Sequence, residues 1–343
     1  MSITSTQIEL AARPVGDPKH SDFNIVEVKL PEINDGEILC RIIYQSLDPY
    51  MRGRMDDAKS YATPVAIGDV MEAGCVAEVM ESKNARFIVG DIVNGRFGWR
   101  THIISDGVGI RKINKDIAPI STSIGVLGMP GMTAYVGLLD IGEPKEGETV
   151  VVSAASGAVG AIVGQIAKIK GCRVIGVAGS KEKCDYVKNT LGFDECISHH
   201  SKDLPQQLAE SCKDGIDVYF ENVGGKVFEA VLPLLNSFAR IPLCGLISRY
   251  SHVGDFPEPN LLPALTRSIL TNRLKIQGFI ITERWNRFPD FEEDVSNWIN
   301  KGQLTYKEDF VDGLINAPEA FMGLLKGKNF GKLIVRTSED STL

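Results

Sequence analysis

Ala155-Ser156-Gly157-Ala158-Val159-Gly160 is a run of small residues spaced A-x-G-x-x-G. Small residues let a backbone turn tightly and approach a pyrophosphate. The N–H groups that open a following helix then face the negative charge. The flanking residues supply that context. An apolar run, Val150-Val151-Val152, precedes the turn. A helix-period segment follows to Lys170, and a second apolar strand, Arg173 to Ala178, ends in Gly179-Ser180. A strand–turn–helix–strand unit of about 30 residues separates a dinucleotide site from a chance glycine pattern. Ala155 stands where the usual fingerprint has its first glycine. An ordinary parallel α/β unit, or one for another nucleotide-like ligand such as S-adenosylmethionine, therefore stays open.

The end of the second strand bears on which dinucleotide fits. NAD-selective folds carry an Asp or Glu about 20 residues past the turn, to accept from the ribose 2′-hydroxyl. This chain has Ala178-Gly179-Ser180 there, and its first acid, Glu182, comes later within Lys181-Glu182-Lys183. Small residues leave room for a 2′-phosphate and the lysines supply charge, which favours NADP. The alternative for Lys181 is a solvated helix start.

The elements that must position these residues form two textures. Residues 1 to 124 read as short strands, among them Phe23 to Leu30, Glu37 to Tyr44, Gly74 to Met80 and Ile92 to Gly95. Turn signals such as Asn34-Asp35-Gly36 separate them. From Gly128, strands and helices alternate through Val150, Val174, Val218, Ile241 and Ile276, the pattern of a parallel sheet covered on both faces. The last strand, Lys332 to Arg336, is expected to pair back onto the first half, with the binding cleft between the domains. A length of 343 residues suits two domains, and 43% hydrophobic with 24% charged residues suits a globular core. A net charge of −7 gives no basic footprint for nucleic acid. No apolar run suggests a membrane span, and the N-terminal residues do not read as a signal peptide, so the expected compartment is the cytoplasm. The seven cysteines include no C-x-x-C and read as reduced thiols. The five histidines show no zinc-ligand spacing. The pair His199-His200 is discounted as a metal site because neighbours on a strand face opposite ways.

Several separated motifs together resemble the zinc-independent medium-chain dehydrogenases/reductases, and within them the 2-alkenal/prostaglandin reductase branch. They are Ser46 to Arg54 (SLDPYMRGR), Gly128 to Tyr135 (GMPGMTAY), the Ala155–Gly160 turn, Glu221 to Gly225 (ENVGG), Cys244 to Tyr250, and Gly327 to Lys332 (GKNFGK). The resemblance implies an α/β chain with a GroES-like antiparallel β-barrel catalytic domain over residues 1–124. A Rossmann doubly wound parallel-sheet domain binding NADP would span 125–300, with a return to the catalytic domain over 301–343. It also implies NADPH as cofactor and a homodimer. Residue by residue, Gly157, Ala158, Val159 and Gly160 fall on the phosphate-binding turn, and Lys183 on the lysine that meets the 2′-phosphate. Asn222 falls beside the cofactor. Cys244, Gly245, Leu246, Ile247, Ser248 and Tyr250 fall on the loop along the nicotinamide ribose. Phe279, Ile280 and Ile281 match a backbone segment at the nicotinamide, and Asn329 a late contact from the tail. His199 stands where prostaglandin reductases have a tyrosine near the adenosine phosphates, a departure shared with the curcumin reductases of the same branch.

The zinc-dependent relatives carry a cysteine and a histidine–glutamate pair for zinc. This chain has Leu47-Asp48-Pro49 near the first of those positions and no four-cysteine cluster. Without a Lewis acid to polarise an alcohol, the chemistry implied is conjugate reduction: hydride to the β-carbon of an α,β-unsaturated ketone or aldehyde, such as a curcumin-like enone or a 2-alkenal. Tyr250 is the candidate to steady the enolate, alone or through the cofactor ribose 2′-hydroxyl, since an unperturbed phenol (pKa about 10) keeps its proton at neutral pH. Tyr50 is a candidate for lining the substrate pocket, although its motif, with Arg52 and Arg54, suits a structural role equally. Met51, Met129 and Met132 suit an adaptable apolar wall or the core, and Trp285 is placed to cap the cleft. The partner is a small molecule, not nucleic acid or membrane. A zinc-independent quinone reductase and a non-catalytic NADPH-binding protein are the competing readings.

Overall fold

The computed structural model describes residues 3–254 and 260–343. In chain order its strands are β1 (Thr4–Leu10), β2 (Phe23–Lys29), β3 (Ile38–Ser46), β4 (Gly74–Ser82), β5 (Ile92–Arg96), β6 (His102–Ser105), β7 (Arg111–Lys112), β8 (Thr149–Ser153), β9 (Arg173–Ala178), β10 (Glu195–Ser198), β11 (Ile216–Phe220), β12 (Leu235–Leu243), β13 (Lys275–Gly278), β14 (Glu308–Asp312) and β15 (Lys332–Arg336). They form two compact units, Met1–Gly128 with Glu308–Leu343, and Met129–Lys307.

In the first unit a seven-stranded sheet runs β14-β15-β3-β4-β5-β7, with β6 pairing onto β3, beside a two-stranded β1-β2 ribbon. β3 lies inside the sheet. Of its nine residues all but Arg41 are buried, as its run of Ile, Leu, Cys and Tyr requires. The tail returns as expected: β15 pairs antiparallel with β3, Ile334 opposite Ser46. The sheet is mixed rather than wholly antiparallel, because β14 lies parallel to β15. A core forms around Trp99, stacked on Phe23 with ring centroids 5.7 Å apart and edge-on to Phe321 at 5.8 Å.

In the second unit six parallel strands run β10-β9-β8-β11-β12-β13. All five residues of β8 are buried, in keeping with the unbroken apolar run Val150-Val151-Val152 at its centre. The chain steps outward from β8 through β9 to β10, then restarts on the other side of β8 with β11 and steps outward to β13. The order therefore reverses between β8 and β11. Open parallel sheets bind ligands outside the carboxyl ends of their strands at such a switch point. Ser153 and Phe220 end the two strands there.

Candidate active site

The glycine-rich turn leaves β8 at this reversal. Its tightest residue is Ala154, at φ 51°, one position before the fingerprint begins. Ala155 keeps extended-sheet contact, its N–H donating to the Val177 carbonyl at 3.0 Å, and its side chain is buried. Alanine is thus tolerated where a glycine is usual because the positive φ falls on its neighbour. Gly160 admits no substitute: a Cβ there would stand 2.3 Å from the Ala154 carbonyl oxygen. At Gly157 the same oxygen would lie at 3.2 Å. The helix Gly160–Ile169 follows with Val159 at its cap and no side chain capping it; the Ala161 N–H donates to the Gly157 carbonyl and those of Ile162 and Val163 to the Val159 carbonyl, each at 3.0 Å, so an anion would be met by the N–H groups of the turn just before them. Gly157, Ala158, Val159 and Gly160 are thus the residues of this turn that could hold a pyrophosphate.

A second corner forms where β9 and β10 end. Ser180 caps the helix Lys181–Asn189, its hydroxyl oxygen accepting from the Lys183 N–H at 3.2 Å. The His199 N–H donates to the Ala178 carbonyl at 2.9 Å, and its ring carbon Cε1 lies 3.5 Å from where a Gly179 side chain would start. Partial burial, then the charges of His200 and Lys183, hold the His199 imidazole below its usual pKa. Lys183 and His199 therefore share one electrostatic neighbourhood, with small residues between them. This arrangement fits a 2′-phosphate. His199 and His200 are not strand neighbours facing opposite ways, as the sequence suggested. Both lie in a turn just past β10, and their rings sit 4.1 Å apart. Nothing else joins them as ligands: among the described residues no group of three or more His, Cys, Asp or Glu could hold a metal ion.

The third group of site residues hangs from the end of β11. The Asn222 N–H donates to the Ser153 hydroxyl at 2.8 Å, and its side-chain amide to the Ser153 carbonyl at 2.8 Å. The loop Cys244 to Ser248 then docks residue by residue. Cys244 and Gly245 donate to the Glu221 carbonyl at 2.9 and 3.1 Å, Ile247 to that of Asn222 at 3.2 Å, and Ser248 to that of Val223 at 3.1 Å. Gly224, at φ 76°, keeps the approach open, since a side chain there would meet Leu246 at 3.1 Å. Tyr250 folds back over the loop it ends. Its phenol oxygen accepts from the Leu246 N–H at 3.2 Å and lies 3.0 Å from a hypothetical Gly245 Cβ. Burial and the nearby Glu221 push the Cys244 thiol up to about 12, so it is no nucleophile at neutral pH. Beyond β13, Phe279 packs against Gly137, where a Cβ would come within 2.6 Å of its ring. Ile280 accepts from the Glu283 N–H at 3.1 Å, and Ile281 is buried.

Tyr50 and Asn329 belong to the first unit. The Asn329 amide donates to the Gly331 carbonyl at 2.8 Å. Tyr50 is half-buried, with the Arg54 guanidinium 5.7 Å from its ring centroid. Burial, then the charges of Asp48 and Glu72, push its phenol well above the ordinary value, so it stays protonated. The two arginines of its motif are structural. Arg54 pairs with Glu72 at 2.7 Å, and Arg52 holds Asp56 at 2.6 Å and the Gly16 carbonyl at 2.9 Å. Met51 and Met132 are fully buried core residues. Trp285 is 43% exposed and stacks on Phe288 at 4.9 Å.

A buried ion pair in the first unit and a buried carboxylate in the second were not singled out from the sequence. Lys332 and Asp48 form an ion pair at 2.9 Å at the foot of the Tyr50 motif. Glu221 is fully buried under Asn222. Lys332 closes the GKNFGK motif and Glu221 opens ENVGG, and those motifs were the available signal.

A small-residue turn opening a helix at the switch point of a parallel sheet, in a chain whose other unit is built on a mixed β-sheet, is the layout of a dinucleotide-dependent oxidoreductase. Residues 6–113 match the model described as the N-terminal domain of oxidoreductase, and residues 158–300 the model described as zinc-binding dehydrogenase. The chain is 52% identical to the NADPH-dependent curcumin reductase of Escherichia coli (strain K12) over 96% of each chain. It is 44% identical to prostaglandin reductase 1 of Rattus norvegicus over 94% of this chain and 95% of the other. The crystal structure of CurA from Vibrio vulnificus in complex with NADPH superposes with a TM-score of 0.94 at 53% identity, covering 98% of this chain and 100% of that one. The chain belongs to the medium-chain dehydrogenase/reductase family, in the branch of the curcumin and prostaglandin reductases. The zinc in the second model's description finds no fitting donor set among the described residues.

Proposed function

We infer that the chain is an NADPH-dependent reductase of the carbon–carbon double bond of α,β-unsaturated ketones and aldehydes. The full-length likeness to an NADPH-dependent curcumin reductase carries this reading. NADPH, when bound, supplies a hydride equivalent to the β-carbon of the substrate. Gly157 to Gly160 hold the pyrophosphate, Lys183 and His199 recognise the 2′-phosphate, and Asn222, the Cys244–Ser248 loop, Phe279 to Ile281 and Asn329 orient the nicotinamide half. As the β-carbon is reduced, negative charge collects on the carbonyl oxygen. Tyr250 donates to that oxygen. The N–H of Leu246, already donating to the phenol oxygen, polarises the hydroxyl in that direction. A proton reaching the α-carbon completes the saturated product. Tyr50 lines the substrate side.

The substrates are curcumin-like enones and 2-alkenals. The chain works as a homodimer. β13 is an edge strand of its sheet, and the preceding helix Leu262–Asn272 buries none of its residues, with Leu270 78% exposed. A paired edge and a covered apolar helix are what such a surface asks for. Seven free thiols suit the reducing cytoplasm. Among the described residues no helix is long and apolar enough to cross a membrane.

The test is NADPH consumption across enones, enals and quinones, with product structures determined. Saturated ketones or aldehydes are expected. Turnover of quinones alone, or no turnover with NADPH bound, would replace this reading with one of its competitors.

A further inference from the structure

Glu221 is a carboxylate with no solvent exposure at the end of a central parallel strand. Burial pushes its pKa up, and bonds from Val223, Gly224 and Ser153 pull against that. A carboxylate in such a place is costly, and an apolar side chain of similar size would pack without that cost. The hydrogen bonds show what the group does. Oε1 accepts from the Val223 N–H at 2.6 Å and from the Ser153 hydroxyl at 3.0 Å. The same Ser153 oxygen accepts from the Asn222 N–H at 2.8 Å. One carboxylate thus folds the chain from Glu221 to Gly224 back on itself and ties it to the last residue of β8. The carbonyls of Glu221, Asn222 and Val223 are the acceptors on which the Cys244–Ser248 loop hangs.

We propose that Glu221 is the positioning residue for the nicotinamide half of the cofactor site. Through Ser153 and Val223 it sets the Asn222–Gly224 segment, and through that segment the Cys244–Tyr250 loop, without itself touching cofactor or substrate. The proposal rests on the NADPH reading above. It separates two halves of one site. Glu221, Asn222 and the 244–250 loop belong to the β11–β12 side of β8, whereas Ser180, Lys183 and His199 lie at β9 and β10 on the other side. Loss of the carboxylate should therefore loosen the nicotinamide half and leave the adenosine half intact.

The experiment titrates NADPH and adenosine 2′,5′-bisphosphate against wild type, Glu221→Ala, Glu221→Gln and Ser153→Ala, with thermal unfolding alongside. Glu221→Ala should weaken NADPH by roughly 5- to 150-fold, the range for leaving one buried donor, the Val223 N–H, unpaired, and should leave the bisphosphate unchanged. Glu221→Gln keeps an oxygen that can accept from Val223 and should bind NADPH within about threefold of wild type. Ser153→Ala should weaken NADPH in the same direction by less, again sparing the bisphosphate; it decides the matter if Glu221→Ala does not fold. Equal losses for both ligands would mean general destabilisation and overturn the proposal, as would a Gln variant as weak as Ala. NADPH bound equally well by wild type, Glu221→Ala and Ser153→Ala overturns this proposal alone. Failure of wild type to bind NADPH overturns the cofactor reading with it.

Discussion

The Lys332 ammonium group donates to Asp48 Oδ1 at 2.9 Å and to the Leu47 carbonyl at 2.8 Å, with both charged side chains under 10% exposed. The Ser46 hydroxyl donates to the other Asp48 oxygen. This pair pins the start of the Tyr50 motif to β15. Removing one partner leaves the other charge buried without compensation. Lys332→Met should destabilise the protein by about 3–5 kcal/mol, whereas Asp48→Asn with Lys332→Met should cost clearly less. Denaturant unfolding of the single and double variants measures the difference. Equal losses would show that the ion pair is not what the single variant breaks.

Cofactor choice is the second expectation. Lys183 lies in the first turn of the helix capped by Ser180, close enough to His199 to depress its pKa. Lys183→Ala should weaken NADPH by roughly 10- to 150-fold, the range for a lost charged hydrogen bond. NADH, with no 2′-phosphate, should change little. Fluorescence titration of both cofactors checks this, and an equal loss for the two would free Lys183 from the assignment.

Zinc should be dispensable. The family model carries zinc in its description, yet no set of three His, Cys, Asp or Glu among the described residues could hold it. A structural or catalytic zinc needs such a set, and its removal costs folding energy or activity. Exhaustive chelation should leave melting temperature and turnover unchanged. Stoichiometric zinc lost together with activity would show a site that the donor chemistry does not reveal.

How legible this molecule was depends on how local each signal is. β9 and β15 lie where their apolar patterns place them, at Arg173–Ala178 and Lys332–Arg336, because β-branched runs buried on both faces need no partner information to be seen. β10 and β14 went unseen. Their sequences, ECIS and EDFVD, are short and begin with acids, and neighbouring strands rather than their own pattern make them strands. The small-residue turn was readable, but its positive φ sits at Ala154, a position the glycine spacing does not mark. The Asp48–Lys332 pair joins residues 284 apart, and no local pattern encodes such a contact. Glu221 was visible only as a letter in a motif. Its burial depends on β8 and β12 closing over both sides of β11.

The pH dependence of stability should carry the mark of Glu221. Its folded pKa lies above the usual carboxylate value, chiefly because burial disfavours the charge. The folded state therefore holds this proton more tightly than the unfolded chain. That contribution is fully present below the unfolded pKa, about 4.3 for Glu, and is lost as pH rises through the folded value. Glu221→Gln cannot titrate. Relative to wild type it should gain stability as pH rises above the unfolded value of about 4.3 and on through the raised folded value. Denaturant midpoints across that range test the sign. A difference that is flat with pH would mean that Glu221 ionises as freely in the folded protein as in the unfolded chain.

Tyr250 carries the expectation closest to the chemistry. Its phenol oxygen accepts from the Leu246 N–H at 3.2 Å, which holds the ring over the loop. Tyr250→Phe removes that oxygen and keeps the aromatic packing. If the hydroxyl donates to the developing enolate, kcat should fall by roughly 10²–10³-fold, the loss seen when an oxyanion donor is removed. NADPH affinity should change far less, because the Gly157–Gly160 turn and the Lys183 corner are untouched. A second measurement separates this from a looser loop. With deuteride-labelled NADPH, the label should appear on the β-carbon of a saturated ketone in wild type and variant alike, since the donor steadies charge without choosing the carbon attacked. Unchanged kcat, measured where chemistry limits turnover, would remove Tyr250 from the mechanism. Label on a carbinol carbon would make the enzyme a carbonyl reductase, with the oxygen of Tyr250 facing an alkoxide instead of an enolate.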